Sequence, residues 1–390
     1  MKKISILGST GSIGVNALEV IASHPRDFKA VALAAGSNIQ VLKNQIERFR
    51  PRVVAVVNEE IARAISEMID RTLGTKVLWG SEGYREIAAL KEADMVVSAI
   101  VGAAGLLPTV DAIESGKHIA LANKETMVMA GEIVVRKAAE KGIRILPVDS
   151  EHSAVFQCLE GHGRKYLKRI ILTASGGPFL QVSRNDLKNV TVADALRHPN
   201  WKMGRKITVD SATMINKGLE VIEAKWFFGA RIDEIDIVIH PQSIVHSMVE
   251  YVDGSVIAQM GVPDMKGPIA YALSYPDRIS GSMEKLDLLK TGRLEFLAPD
   301  IEKFPGLRLA YEAGREGGTK PAVLNASNEV AVGSFIAGKI GFTDIADVIE
   351  RCMNAYRNVQ PSSIKDILDA DRWARNKAEE IIRDMPNDRN

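Results

Sequence analysis

The first 149 residues alternate short apolar runs, rich in β-branched residues, with segments of helical periodicity. This alternation restricts the fold more than any other feature of the chain. It is typical of β-α-β units, whose strands lie parallel in a doubly wound sheet with helices on both faces. The predicted strands are residues 4–7, 30–33, 53–57, 95–99, 118–121 and 143–148. We therefore predict an α/β fold with an N-terminal Rossmann-like parallel sheet over residues 1–149.

A glycine-rich loop separates the first predicted strand from a helix predicted to begin near Ser12. From Gly8 to Gly14 it reads GSTGSIG. Glycines let the backbone turn tightly and approach a pyrophosphate, and the helix N-terminus supplies amide donors. This context favours a dinucleotide site over a structural turn, although the spacing is GxxGxxG rather than GxGxxG. Residues 34–38, after the second strand, contain no acidic residue for an NAD ribose, which favours NADP, although no arginine replaces it.

Two later strands of this domain end in loops at residues 98–102 and 122–125, at the edge of the sheet where ligands of open α/β folds bind. Asn123, Lys124 and Glu125 follow the fifth predicted strand. They are placed for a cofactor or a substrate, but Asn123 as a helix cap with Glu125 in the first turn explains them equally well.

Asp149 and Glu151 follow the sixth predicted strand. On an extended strand end, two carboxylates one residue apart point to the same side, as ligands of a hard divalent cation do. The alternative is a helix start, with Asp149 as its cap and Glu151 in its first turn. Glu220 could supply a third carboxylate, and three carboxylates without a thiol suit Mg²⁺ or Mn²⁺ better than zinc.

The stretch from His198 to Glu220 concentrates polar residues in mid-sequence. It is interpreted as a loop that enters a helix with Asp210 as the N-cap. A period of 3.6 residues then separates an apolar stripe from a polar face that carries Asn216, Lys217 and Glu220, as in an ordinary amphipathic surface helix. Loops like the preceding one often act as lids.

The pattern of strands and turns in the remaining sequence predicts a central α+β domain, which is followed by helices. Its strands are predicted at residues 170–172, 235–239, 245–251 and 255–260, with a hairpin at Asp253-Gly254. The turn at residues 173–178 either binds an anion or is a plain loop. After a connecting region with a strand-like segment at 293–296, helices are predicted at 307–316, 322–337, 342–356 and 364–383, as a C-terminal helical bundle.

Composition excludes several classes of protein. Lysine and arginine total 50 against 49 for aspartate and glutamate, a net charge of +1, which gives no electrostatic footprint for nucleic acid or an anionic membrane. The two cysteines, Cys158 and Cys352, fit neither a disulfide framework nor a zinc site. No run approaches about 18 apolar residues, and glycines soon interrupt the first apolar run, so neither a membrane span nor a signal peptide is predicted. A cytoplasmic protein is expected.

Five segments together resemble the 1-deoxy-D-xylulose 5-phosphate reductoisomerases of the non-mevalonate isoprenoid pathway. They are LGSTGSIG at Leu7, LANKE at Leu121, PVDSEHSA at Pro147, LTASGGPF at Leu172 and HPNWKMGRKITVDSATMINKGLE at His198. The last is long and specific. The resemblance implies an NADPH-binding domain at 1–149, a catalytic and dimerisation domain at 150–276 with a lid near 196–205, a connecting region at 277–304 and a C-terminal helical domain at 305–390.

The reaction implied by the resemblance is a metal-assisted rearrangement of 1-deoxy-D-xylulose 5-phosphate, written as retro-aldol cleavage and re-addition. NADPH then reduces the branched aldehyde phosphate to 2-C-methyl-D-erythritol 4-phosphate. The resemblance also implies a homodimer.

The resemblance assigns roles to particular residues. Asp149, Glu151 and Glu220 are expected to bind the divalent metal and, with Lys124, to form the catalytic set. Substrate contacts are expected from Lys124, Ser150, Glu151, Ser175, His198, Trp201, Ser211, Asn216, Lys217 and Glu220. Of these, Ser175, Ser211, Asn216 and Lys217 match the phosphate pocket, and Trp201 covers the substrate from the lid. The cofactor positions are Gly8, Thr10, Gly11, Ser12, Ile13, Gly36, Ser37, Asn38, Asn123, Glu125 and Gly204. Ser37 departs from the basic residue that many members carry.

Two other classes of protein remain open. Semialdehyde dehydrogenases share a glycine-rich N-terminal loop but need a thiolate nucleophile. Cys158 lies in an apolar helical context and is interpreted as a small core residue instead. A non-catalytic NADP-responsive binding protein would have no need of the three carboxylates.

Overall fold

The structure is a computed structural model that describes residues 1–199, 204–281 and 283–385. Its chain forms two compact units. The first comprises Met1–Thr126, Val134–Ser153 and Asp264–Glu284; the second comprises Met127–Ile133, Ala154–Pro263 and the described residues from Lys285 onwards. Residues 264–284, which the sequence analysis divides between the central domain and the connecting region, therefore belong to the first unit.

The strands and helices of the described residues are numbered in chain order. The strands are β1 Lys2–Leu7, β2 Phe28–Ala34, β3 Val53–Val56, β4 Lys76–Trp79, β5 Met95–Ser98, β6 His118–Leu121, β7 Ile145–Pro147, β8 Leu167–Ala174, β9 Ile235–Ile239, β10 Val245–Tyr251 and β11 Val256–Met260. The helices are α1 Ser12–Ser23, α2 Ile39–Phe49, α3 Glu59–Met68, α4 Gly80–Ala88, α5 Leu106–Glu114, α6 Lys124–Glu140, α7 Ser150–Leu159, α8 Val192–Ala195, α9 Arg205–Ala212, α10 Ile215–Phe228, α11 Lys266–Ser274, α12 Leu288–Thr291, α13 Pro305–Glu316, α14 Lys320–Ile336, α15 Asp344–Ala355 and α16 Ile364–Arg383.

The first unit is built on a parallel sheet in the order β4-β3-β2-β1-β5-β6-β7. Its central strands are buried on both faces, as expected when helices cover both sides of a sheet. The six predicted strands are confirmed with small shifts at their ends, and β4 was missed. That strand reads KVLW, so its apolar run is only three residues long, and it lies at the sheet edge with its side chains partly exposed.

The second unit contains a mixed sheet in the order β11-β10-β8-β9, in which β8 and β9 are parallel and the other pairs are antiparallel. The predicted hairpin at Asp253-Gly254 is confirmed and joins β10 to β11, with Gly254 at φ 86°. The segment at 293–296 was predicted as strand-like, but it is not a strand. The nearest pairing is an isolated antiparallel bridge between Leu297, just after the segment, and Ile239.

The four predicted C-terminal helices are confirmed as α13 to α16. Among them α14 has apolar and small residues on nearly every side and is buried along most of its length. A helix that is buried all round is the expected centre of a helical assembly. The α/β class with a C-terminal helical region is therefore confirmed. No helix within the described ranges is long and apolar enough to cross a membrane.

Candidate active site

The glycine-rich loop leaves β1 at the carboxyl edge of the parallel sheet. Gly8 has φ +91°, and a Cβ atom there would lie 2.4 Å from the carbonyl oxygen of Ala99. A Cβ atom on Gly14 would lie 2.3 Å from the carbonyl oxygen of Gly8. Gly11 caps α1 without any side-chain hydrogen bond, and no acidic residue occupies the first turn. The helix N-terminus therefore presents backbone amides and a positive dipole end, which favour an anion.

Two side chains that the sequence analysis did not select support this edge of the sheet. The buried Gln45 of α2 donates its amide to the carbonyl oxygen of Ser9 at 2.8 Å. The Tyr84 hydroxyl donates to the carbonyl oxygen of Ala35 at 2.9 Å, just before Gly36, Ser37 and Asn38. Gln45 had a signal in the sequence, because it is a polar residue at the helical spacing of the apolar Leu42 and Ile46; Tyr84 had none.

The loop after β6 is fixed by Asn123. Its side chain caps α6 by accepting from the amide of Thr126 at 3.0 Å, so the capping interpretation is confirmed. Its amide nitrogen donates to the carbonyl oxygens of Ile100 and Gly102 at 2.6 and 3.0 Å, and to the Glu125 carboxylate at 2.9 Å. The Asn123 side chain therefore holds two loops of the sheet edge together.

Asp149 and Glu151 lie at the next strand end. Helix α7 begins at Ser150 with Glu151 in its first turn, so the predicted helix start is confirmed and the backbone there is not extended. The carboxylates of Asp149 and Glu151 still present oxygen atoms within 4.8 Å of each other, as the predicted pair of metal ligands requires. The Ser150 hydroxyl donates to Glu151 Oε2 at 2.7 Å. Lys124 Nζ lies 2.9 Å from Asp149 Oδ2, with both side chains largely buried. The first unit thus brings an ammonium and two carboxylates to one edge of its sheet.

In the second unit, three residues of the predicted substrate site meet around an imidazole. His198 Nε2 lies 3.2 Å from Ser175 Oγ and 3.1 Å from Ser211 Oγ. The turn at Gly177, with φ +66°, packs so closely on α9 that a Cβ atom would lie 2.8 Å from the Ser211 carbonyl oxygen. Two hydroxyls and an imidazole in contact form a group of hydrogen-bond donors that suits a phosphate.

The single helix predicted to begin at Asp210 is part of two helices, α9 and α10. The break lies at Met214, which has the left-handed φ of 62°. Asp210 is not the predicted N-cap, because it lies inside α9, and α10 is not the predicted solvated surface helix. Lys217 and Glu220 are 4% and 1% exposed and form an ion pair. Asn216 donates to Glu220 Oε1 at 2.6 Å. Three predicted site residues therefore form one largely buried network.

Part of the predicted lid lies outside the described residues, which omit 200–203 and with them Trp201. Gly204 is exposed and directly precedes α9 as its N-cap. Thr10, Ser12, Ile13, Gly36, Ser37 and Asn38 lie at least partly exposed around the carboxyl edge of the first sheet.

Cys158 does not provide the thiolate that a semialdehyde dehydrogenase needs. It is buried in α7, and burial raises its pKa to about 11. A neutral, buried thiol is a poor nucleophile. The interpretation of Cys158 as a small core residue is confirmed.

Three family models cover most of the chain. The model described as 1-deoxy-D-xylulose 5-phosphate reductoisomerase matches residues 4–131, the C-terminal domain model of the same name matches 145–228, and the model for the DXP reductoisomerase C-terminal domain matches 260–377. The reductoisomerase of Geobacter metallireducens is 57% identical over 382 residues, which are 98% of this chain and 99% of that protein. The chain belongs to the 1-deoxy-D-xylulose 5-phosphate reductoisomerase family.

Other reductoisomerases are similar over the same length. That of Chlorobium chlorochromatii is 55% identical over 98% of this chain and 100% of its own. The solved reductoisomerase of Zymomonas mobilis, in complex with NADPH, has 41% identity and a TM-score of 0.92 over 98% of this chain and 100% of that one. A reductoisomerase complex with NADPH, fosmidomycin and magnesium has 43% identity and a TM-score of 0.94, covering 98% of each chain. The predicted family and the predicted class of enzyme, an NADPH-dependent reductoisomerase, are confirmed.

Proposed function

We propose that this reductoisomerase converts 1-deoxy-D-xylulose 5-phosphate to 2-C-methyl-D-erythritol 4-phosphate with NADPH and a divalent cation, Mg²⁺ or Mn²⁺. The observation that carries the proposal is the 57% identity to a reductoisomerase across 98% of the chain. When bound, the cation supplies Lewis-acid polarisation of substrate oxygens and the nicotinamide supplies a hydride. The chain's own residues bind, orient and enclose the reactants.

NADPH is proposed to bind at the carboxyl edge of the parallel sheet. The fit rests on the uncapped start of α1 and on two close backbone approaches, at Gly8 and Gly14, which leave no room for a side chain. The pyrophosphate would lie against Thr10, Gly11, Ser12 and Ile13, and the ribose near Gly36, Ser37 and Asn38. Asn123, Glu125 and Gly204 complete the proposed contacts. Because Ser37 is neutral, selectivity for the 2′-phosphate depends on hydroxyl and amide donors in that loop.

The divalent cation is proposed to bind to Asp149, Glu151 and Glu220. Carboxylate oxygens without thiols suit Mg²⁺ and Mn²⁺. Lys124 and Ser150 already contact the two carboxylates of the first unit, and Asn216 and Lys217 contact Glu220 in the second. These neighbours would orient the ligand oxygens, as hydrogen-bonding partners of metal ligands commonly do.

The substrate phosphate is proposed to bind in the second unit. Ser175, His198 and Ser211 are already in mutual hydrogen-bond contact. Asn216 and Lys217 add an amide and an ammonium, so a dianion can be held there although the chain as a whole has almost no net charge. Lys124 Nζ is proposed to donate to a substrate oxygen at the reacting end, and Trp201 to exclude water when the lid closes.

A homodimer in the cytoplasm is also proposed. The edge strand β11 exposes Val256 and Ile257, and apolar side chains on an exposed sheet edge are a common site of strand pairing or packing with another chain. Sedimentation equilibrium should give twice the mass of one chain. A monomer at micromolar concentration would contradict this part of the proposal.

The direct test follows NADPH oxidation by the cofactor's own absorbance, with 1-deoxy-D-xylulose 5-phosphate as substrate. Oxidation should require Mg²⁺ or Mn²⁺ and should fall by several orders of magnitude in Glu220→Gln, which keeps the shape of the side chain but removes its charge. Absence of oxidation with either metal, from folded protein that still binds NADPH, would overturn the activity.

A second measurement tests the metal site without turnover. Mg²⁺ that binds only the folded chain raises its stability by about 2.7 kcal/mol at a hundred times the dissociation constant. We therefore expect the unfolding midpoint to rise with Mg²⁺ in the wild type and to stay constant in Glu220→Gln. Equal responses in both proteins would exclude Glu220 as a ligand and would favour a non-catalytic NADP-binding protein.

A further inference from the structure

Helix α9 carries a buried carboxylate directly before a residue of the proposed phosphate pocket. Asp210 is 1% exposed, and Ser211 follows it in the same helix. Lys206 Nζ lies 2.9 Å from one oxygen of Asp210, and the amide nitrogen of Asn328 donates to the other at 2.9 Å. A charge this deeply buried is unfavourable unless it is paired and hydrogen-bonded, so both partners are needed to keep it there.

The second partner comes from the C-terminal helices. Asn328 is fully buried in α14 and is separated from Asp210 by 118 residues of sequence. Its neighbour Ser327 is equally buried, but among the described residues the Ser327 hydroxyl donates within α14, to the carbonyl oxygens of Val323 and Leu324. Asn328 therefore uses its side chain to hold another helix, which Ser327 does not.

We propose that Asn328 and Asp210 are positioning residues for substrate-phosphate binding, because they fix α9 and with it Ser211. This inference rests on the proposed phosphate pocket. Lys206 lies on α9 itself and pairs with the charge of Asp210, whereas the bond from Asn328 ties Asp210 to α14 and opposes rotation or sliding of α9. The Ser211 hydroxyl is thereby held 3.1 Å from His198 Nε2. A displacement of about 0.5–1 Å would take that contact beyond hydrogen-bond distance.

Helix α9 also packs closely against the turn at Gly177, so its position is restricted there as well. The Ser211 carbonyl oxygen lies so near to Gly177, in the turn that carries Ser175, that α9 has no room to move towards this turn. The C-terminal helices, in which the sequence shows no chemical motif, thus contribute to the geometry of the site through the buried amide of Asn328.

The test compares Asn328→Leu with Ser327→Ala by steady-state kinetics in the presence of Mg²⁺. Asn328→Leu keeps a side chain of similar size but removes the donor to a charged oxygen. It should raise the KM for 1-deoxy-D-xylulose 5-phosphate by about tenfold, the order expected for one hydrogen bond to a charged group. The KM for NADPH should change less than twofold. Ser327→Ala, the matched control, should leave both values unchanged.

A reversed pair guards against simple loss of structure. Asn328→Asp places two carboxylates together and should weaken substrate binding, whereas adding Asp210→Asn restores a bond between an amide and a carboxylate and should recover most of the affinity. If Asn328→Leu does not fold, this pair decides the question. Lack of recovery in a folded double variant would overturn the inference, as would an unchanged substrate KM in Asn328→Leu.

Ser211→Ala separates this inference from the function on which it rests. If Ser211→Ala leaves the substrate KM unchanged, the proposed phosphate pocket is wrong and the inference fails with it. If Ser211→Ala raises the KM while Asn328→Leu does not, only the positioning role is wrong. Equal increases in the KM for substrate and for NADPH would indicate general damage and would also contradict the positioning role.

Discussion

Replacing Gly218 by alanine should destabilise the second unit, because it blocks the close approach of α10 to α13. A Cβ atom at this position would lie 2.4 Å from the Cβ atom of Ala310 and 3.3 Å from the carbonyl oxygen of Gly306. Carbon atoms in contact are about 3.5 Å apart or more, so the overlap is about 1 Å. Neither Cβ atom can rotate away, and overpacking of this kind costs about 1–3 kcal/mol.

A gain in helix propensity opposes this cost. Alanine is about 1 kcal/mol better than glycine in a helix interior. Taking the upper end of the steric cost, since both atoms are fixed to helix backbones, the free energy of unfolding should fall by about 2 kcal/mol. Gly218 adjoins Lys217, so the separation of α10 from α13 should also raise the substrate KM.

The assay is urea denaturation of four proteins: the wild type, Gly218→Ala, Ala310→Gly and the double variant. Ala310→Gly removes the obstructing methyl group, so the double variant should be about 3 kcal/mol more stable than the sum of the single effects predicts, which is the whole steric cost. Contacting residues couple in this way, whereas distant ones add within about 0.5 kcal/mol. A stable Gly218→Ala variant, or additivity across the four proteins, would refute the steric argument.

Three further predictions concern single residues. Gly8→Ala should abolish NADPH binding in a fluorescence titration while circular dichroism stays native, since its Cβ atom would meet the carbonyl oxygen of Ala99 at 2.4 Å; binding within threefold of wild type would contradict this. Gln45→Met should weaken NADPH about fivefold, because the Ser9 carbonyl loses its donor; unchanged affinity would show that the loop needs no such support. Burial raises the pKa of Cys158 to about 11, so the unfolded thiol ionises first as the pH rises above 9. The stability of the wild type should therefore fall relative to Cys158→Ala by about 2–3 kcal/mol between pH 9 and 11, and a constant difference would disprove the shift.

Much of the first unit could be predicted because its signals are local. The run from Lys2 to Leu7, the glycines that follow and the helix from Ser12 specify strand, turn and helix through neighbouring residues alone. The cap at Asn123 is local for the same reason, because a cap and the amide that it binds are three residues apart. Strand β4 was missed where such a signal is weakest, in a short edge strand.

The errors in the second unit have a different origin. The break between α9 and α10 requires a left-handed backbone at Met214, a conformation that methionine rarely adopts. The adjacent sequence contains no residue that would predict this conformation. Asp210 was therefore assigned to a helix start when it lies inside a helix. A distant element packs closely beside this break, since a Cβ atom on Gly306 of α13 would lie 3.2 Å from the carbonyl oxygen of Thr213.

The sequence by itself determined the family, the α/β class, the glycine-rich loop and the residue types of the proposed site. It could not determine the environment of those residues. Lys217 and Glu220 have the spacing of an exposed polar face, and only the tertiary structure shows them buried and paired. Asn328 joins the site region through a bond across 118 residues. Periodicity is a property of neighbours in the chain, whereas burial and pairing depend on which remote elements pack together, and the folded chain alone decides that.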